Sequence, residues 1–203
     1  MAAAATLPPR RRLTPDARRA ELLSAGELVF TSRPYDDVSI EDIAEAAGVS
    51  KNLLYHYFSG KRDLYLETIR TATSELIART DPDMRLGPIE RLRSSIDQHL
   101  LHVEEHAAGY VKLLRGAGAD PEVQAIVAGA HRRVVDRAIA SMPLDGAVPP
   151  PGLRLALFGW VAFIDEVSIA WVEHPALARE DLREMLVHQF VAIVTASAQT
   201  DPL

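Results

Sequence analysis

No cysteine occurs among the 203 residues. That excludes a disulfide scaffold, an iron–sulfur cluster, a thiolate zinc site and a cysteine nucleophile. Aromatic residues reach only 6% and glycine only 11 positions, a poor basis for a β-sandwich or propeller. Long hydrophobic runs are missing too. The longest, Leu155 to Ile164, has ten residues between Arg154 and the Asp165–Glu166 pair, which predicts a buried helix and not a membrane span. Met1 to Pro9 lacks the apolar core of a secretion signal, so the expected location is the cytoplasm, with no membrane partner. An excess of positive charge is also absent. The net charge of −6 argues at first sight against a phosphate-bearing partner.

The charge is unevenly divided. Residues 1–70 carry ten basic and ten acidic side chains, whereas residues 71–203 carry 12 and 18. The acidity therefore belongs to the second part of the chain. Within the first part, Arg10, Arg11, Arg12, Arg18 and Arg19 gather near the start, and Lys51 and Lys61 lie further on. The acids Asp36, Asp37, Glu41, Asp42 and Glu45 cluster between them.

Helical spacing of apolar residues recurs along the chain and strand signals are nearly absent, so the fold class is all-α. The expected organisation is a flexible basic arm over 1–14, a small three-helix unit over 15–64 and a larger helical body over 65–203. Thr14-Pro15 opens the first helix, with Leu22, Gly26, Val29 and Phe30 on one face, and Arg33-Pro34 stops it. Ser39 with Asp42 forms a capping box, Gly48 ends that helix, and Ser50 caps the next. A helix follows from Lys61 to Arg79, and the body is expected as helices over 86–115, 121–142, 152–174 and 179–199.

Residues 40–58 read IEDIAEAAGVSKNLLYHYF. Ile40, Ile43 and the small Ala44 allow a close helix crossing, Gly48 supplies a positive-φ turn, and Val49, Leu54 and Phe58 complete a small core. This is helix-turn-helix spacing. At about 100° per residue, an inward Leu54 turns Asn52 and His56 outward, with Lys51 and Tyr55 on one flank and Leu53 on the other. Such a face suits a major groove: Asn reads adenine, Lys reads guanine or phosphate, and Leu53 meets a thymine methyl. Amide donors at Ser50 suit a phosphate.

From about Ala17 to Leu64 the chain resembles the DNA-binding domain of the tetracycline-repressor (TetR) family of bacterial regulators. The residues that carry the resemblance are Phe30, Tyr35, Ser39-Ile40, Ile43-Ala44, Ala47-Gly48-Val49-Ser50, Leu54-Tyr55, Tyr57-Phe58, Lys61 and Leu64. It implies an N-terminal helix-turn-helix head, followed by a helical body that binds a small effector and dimerises. It also implies two recognition helices entering successive major grooves of a palindromic operator, so that an effector releases the repressor by changing head spacing. By position, Ser50, Tyr55 and Lys61 resemble phosphate contacts, and Lys51, Asn52 and His56 resemble groove readers. Ser39 and the arginines of the arm join this DNA-binding set.

The body offers its own candidates. His102-Val103-Glu104-Glu105-His106 matches the H-x-x-E-H zincin pattern, and His99 lies on the same side of a helix. A metal-responsive regulator or a zinc metallopeptidase is thus the alternative function, although no further ligand can be named. Plain packing beside Leu92, Ile96, Val103 and Tyr110 is the simpler reading, and no metal or other cofactor is assigned. Asp165 and Glu166 interrupt the most apolar helix, where a carboxylate needs a partner. One of them is expected to serve structure or a dimer edge. For the effector pocket, Glu166 joins His99, His102, His106, Tyr110, Trp160 and Phe163. The helices at 152–174 and 179–199 are apolar around most of their circumference, which predicts a four-helix homodimer interface. No catalytic residue is expected.

Overall fold

The computed structural model describes residues 13–142, 148–150 and 152–198. Arg10, Arg11 and Arg12, expected to reach DNA from a basic arm, lie outside the described residues. Among those described, nine α-helices and no strand are present. The chain divides into two compact units between Thr68 and Ile69.

The first unit holds α1 (Pro15–Ser32), a 3-10 turn (Tyr35–Asp37), α2 (Ile40–Ala46), α3 (Lys51–Tyr57) and the first turns of α4 (Lys61–Arg79). Its helix boundaries follow local chemistry. The Thr14 hydroxyl accepts the Ala17 N–H at 3.2 Å, and Pro15 occupies the first turn of α1. Ser39 and Asp42 form a reciprocal capping box at the start of α2. Between α2 and α3, Gly48 adopts φ 62°, a left-handed conformation that disfavours other residues. Leu22, Ile43, Leu54 and Leu64 are sealed at the centre of this unit, with Phe30, Val38 and Phe58 around them. Gly26 lets α1 and α4 approach closely, because a Cβ there would sit 3.1 Å from the Thr68 hydroxyl oxygen.

The second unit holds the rest of α4 with α5 (Pro88–Glu105), α6 (Ala107–Ala117), α7 (Pro121–Ala140), α8 (Leu153–Glu173) and α9 (Arg179–Ala198). One expectation needs correction: the single helix over 86–115 is two helices. The break falls at His106 (φ −125°, ψ 27°), whose Nδ1 lies 3.1 Å from the His102 carbonyl oxygen. No proline or glycine stands at this bend, so no breaker residue announces it.

Leu157, Trp160, Val161 and Ile164 of α8 pack with Ile96, Leu100, Val135, Leu182 and Leu186 to form the main core. By length and a mean hydropathy of 1.7, α8 is apolar enough to cross a membrane. Its buried face nevertheless belongs to this core. Another face of α8 is uncovered, with Leu155 at 77% and Phe163 at 41% exposure. Arginine ties the helices together. Arg93 pairs with Glu184 at 3.0 Å, Arg179 with Glu104 at 2.7 Å and Arg115 with Glu173 at 2.5 Å. Arg137 of α7 donates to the Ile77 carbonyl at 2.5 Å and the Thr80 hydroxyl at 2.7 Å, so it caps the end of α4.

Candidate nucleic-acid interface and a polar cluster in the body

The helix-turn-helix turns the expected side chains outward. Leu54 is fully buried, while Lys51, Asn52, Tyr55 and His56 are exposed and Leu53 is half-buried. The Ser50 hydroxyl accepts the Leu53 N–H at 3.3 Å and so fixes the start of α3. Ser39 is equally committed to its own helix, for its backbone N–H donates to Asp42 at 2.7 Å.

Both lysines of this candidate interface have partners within the unit. The Lys51 ammonium pairs with Glu41 of α2 and lies 5.8 Å from the centre of the Tyr55 ring. This contact raises the Lys51 pKa and lowers that of Glu41, in each case chiefly through the hydrogen bond they share. Lys61 donates to the Tyr35 carbonyl at 2.9 Å and sits 4.2 Å from the centre of that ring. Two N–H groups of the Lys61 ammonium remain for a phosphate.

In the second unit a polar cluster joins four helices. The Tyr110 hydroxyl of α6 donates to Asp165 Oδ1 at 2.7 Å. His131 Nε2 of α7 meets Asp165 Oδ2, also at 2.7 Å. His99 Nε2 of α5 lies 3.2 Å from the hydroxyl of the fully buried Ser168, which also bonds Tyr110. The His99 and Tyr110 rings meet edge to face at 5.8 Å. Burial pushes the His99 pKa down and the Tyr110 pKa well up, the latter reinforced by the Asp165 charge. Both groups are therefore neutral near pH 7.

The structure places the body candidates differently around this cluster. Asp165, not Glu166, turns inward, because Glu166 lies one residue further around α8 and is exposed. Phe163 is exposed as well, at 41%. Trp160 is 6% exposed and packs edge-on against Phe190 at 4.8 Å, as a core residue. His131 escaped the sequence reading because its partner is 34 residues away. A helical wheel of α7 would have placed it beside Val134 and Val135, which pack on the core.

The three histidines of α5 and its end do not converge. His99 points to Ser168, whereas the His102 and His106 rings stack at 4.3 Å, with His106 exposed past the end of α5. Among the described residues, no group of three or more histidine, aspartate or glutamate side chains could hold a metal ion. Nothing supports the metal-responsive or metallopeptidase alternative.

Comparison with known proteins agrees with this geometry. Residues 22–68 match the family described as bacterial regulatory proteins, tetR family, and residues 88–193 match the tetracyclin repressor-like C-terminal domain. The HTH-type transcriptional activator FasR of Mycolicibacterium smegmatis is 29% identical over 170 residues, spanning 80% of this chain and 76% of its own. The HTH-type transcriptional regulator BetI of Agrobacterium fabrum is 29% identical over 75% of each chain. A tetR-family regulator from Streptomyces coelicolor superposes with a TM-score of 0.80 at 30% identity, covering 93% of this chain and 85% of that one. FadR from Bacillus subtilis, solved in complex with stearoyl-CoA, shares the fold at a TM-score of 0.69 and 18% identity over 85% of this chain and 97% of its own. The chain belongs to the TetR family of ligand-responsive, DNA-binding transcriptional regulators.

Proposed function

We propose that this protein is a homodimeric, cytoplasmic repressor that leaves a palindromic operator when a small molecule binds its helical body. The carrying observation is the outward face of α3, where Lys51, Asn52, Tyr55 and His56 are exposed around the buried Leu54. In this reading Asn52, His56 and Lys51 read base edges and Leu53 touches a thymine methyl, while Ser50, Tyr55 and Lys61 hold phosphates. Ser39 orients α2 behind them. The dimer forms through α8 and α9, supported by the exposed Leu155, Phe163 and Val191 on those helices.

The effector occupies the body near His99, Tyr110, Asp165 and His131. No chemical step is involved. The effector binds the two head spacings with different affinity, a coupling of about 1–3 kcal/mol. A fold neighbour, FadR from Bacillus subtilis, was solved in complex with a small ligand, stearoyl-CoA. Titration of the protein against DNA from upstream of its own gene, and against random duplex, tests the reading. Asn52→Ala should weaken upstream binding and leave random binding unchanged. Equal binding of the wild type to both duplexes would overturn it.

A further inference from the structure

Asp165 differs from other carboxylates of the body in what holds it. Glu184, Glu104 and Glu173 each face a guanidinium, a cation that no ordinary pH removes. Asp165 instead faces the neutral Tyr110 hydroxyl and His131. It stands in the most apolar helix of the chain, where an ionised group needs strong compensation. An ionised carboxylate has about four acceptor sites, and these contacts use two of them. The cluster is also open to solvent, since the Asp165 side chain is 18% exposed and that of His131 25%.

Charge decides what such a group can take. Asp165 acts on both His99 and Tyr110, no lysine or arginine acts on either, and the basic group in contact with the carboxylate is His131 at 2.7 Å. An anionic ligand head brought to the solvent-facing edge of Asp165 meets a like charge beside a partly desolvated carboxylate. A head that donates a hydrogen bond meets free lone pairs, with the His99 and Tyr110 rings beside it.

We propose that Asp165, with Tyr110, His131 and the His99–Ser168 pair, forms the polar end of the effector site and selects a ligand head that donates a hydrogen bond and carries no negative charge. An alcohol or an ammonium satisfies it; a carboxylate or a phosphate does not. This inference rests on the reading of the body as the effector-binding unit.

Three probes with one ten-carbon tail separate the possibilities: decan-1-ol, decylammonium and decanoate. Each is titrated into the full-length protein while tryptophan emission from α8 is followed. The alcohol and the ammonium should bind at least about tenfold more tightly than decanoate. Asp165→Asn should bring the ammonium and decanoate to within about threefold of each other by removing the charge. Should that variant misfold by circular dichroism, His131→Ala keeps Asp165 and should preserve or widen the preference for the ammonium. Decanoate binding as tightly as the other two, an unchanged ratio in Asp165→Asn, or no binding by any probe would each overturn the proposal. Operator binding by the wild type is measured in the same preparation. Its loss would count against the regulator reading itself and not against the head-group preference.

Discussion

At the scale of single residues, the pairing of Lys51 with Glu41 bears on how the proposed reading helix would meet DNA. Lys51 occupies the first turn of α3, where the helix dipole disfavours a cation, and Glu41 offsets that. In that reading, a base edge that engages Lys51 competes with a carboxylate already there. Glu41→Gln should therefore raise DNA affinity about two- to fivefold, the range of an exposed ion pair. It should also steepen the dependence of log affinity on log salt by roughly 0.9, the share of one further cation left to neutralise the charge of the DNA. Fluorescence anisotropy across a salt series measures both, and Glu45→Gln controls for the general field of the acidic helix. If the two variants behave alike, Glu41 has no particular hold on Lys51.

Among the elements, the end of α4 is held by a side chain of α7. Arg137 caps its final carbonyls and is mostly buried, so removing it leaves the Ile77 carbonyl and the 8%-exposed Thr80 without this donor. Arg137→Met, which keeps the aliphatic stem, should destabilise the protein by about 2 kcal/mol, read from the urea midpoint. A second element-scale effect concerns α5. His102 has a pKa pushed down to about 4 by burial and by its neighbours His106 and Arg79, and burial lowers His99 in the same direction. The unfolded chain takes up these protons from about pH 6.5 downward, while the folded chain does not. Stability is thus full above pH 6.5 and is lost progressively as the pH falls toward 4. The melting temperature should drop over this window, and His102→Asn should shallow the drop. An unchanged slope in that variant would place the protons elsewhere.

The elements also show what could be read in advance. The helices of the first unit were legible because their boundaries are local: Thr14, Ser39 with Asp42, Gly48 and Ser50 act within a few residues. The outward face of α3 followed from rotation alone. The bend at His106 was not legible, since the backbone turns there through packing and a histidine–carbonyl contact instead of a breaker residue. In the polar cluster, Tyr110 and the cost of a carboxylate near 165 were visible. The choice of Asp165 over Glu166, and its pairing with His131, depended on how α7 and α8 face each other.

At the scale of the whole molecule, the exposed stripe on α8 and α9 makes the assembly testable. Leu155 is 77% exposed, so Leu155→Glu should leave the folded protomer intact and add a charge only to the proposed association surface. Sedimentation should then show a monomer where the wild type is a dimer. Operator affinity should fall toward that for random DNA, because one head alone lacks the second half-site. A dimer that survives this substitution would put the interface on another face.

The chain's two tryptophans, Trp160 and Trp171, both lie on α8 in the second unit. Trp160 lies against Phe190 in the core, and the Trp171 indole donates to the Leu177 carbonyl at 2.9 Å. The first unit holds none, so the protein carries a built-in optical reporter for one half of itself and is blind to the other. Emission excited at the indole band reports the body as ligands arrive or as it melts. A change in that emission when unlabelled DNA is added would register the traffic between the two halves directly, with no dye attached and no residue altered.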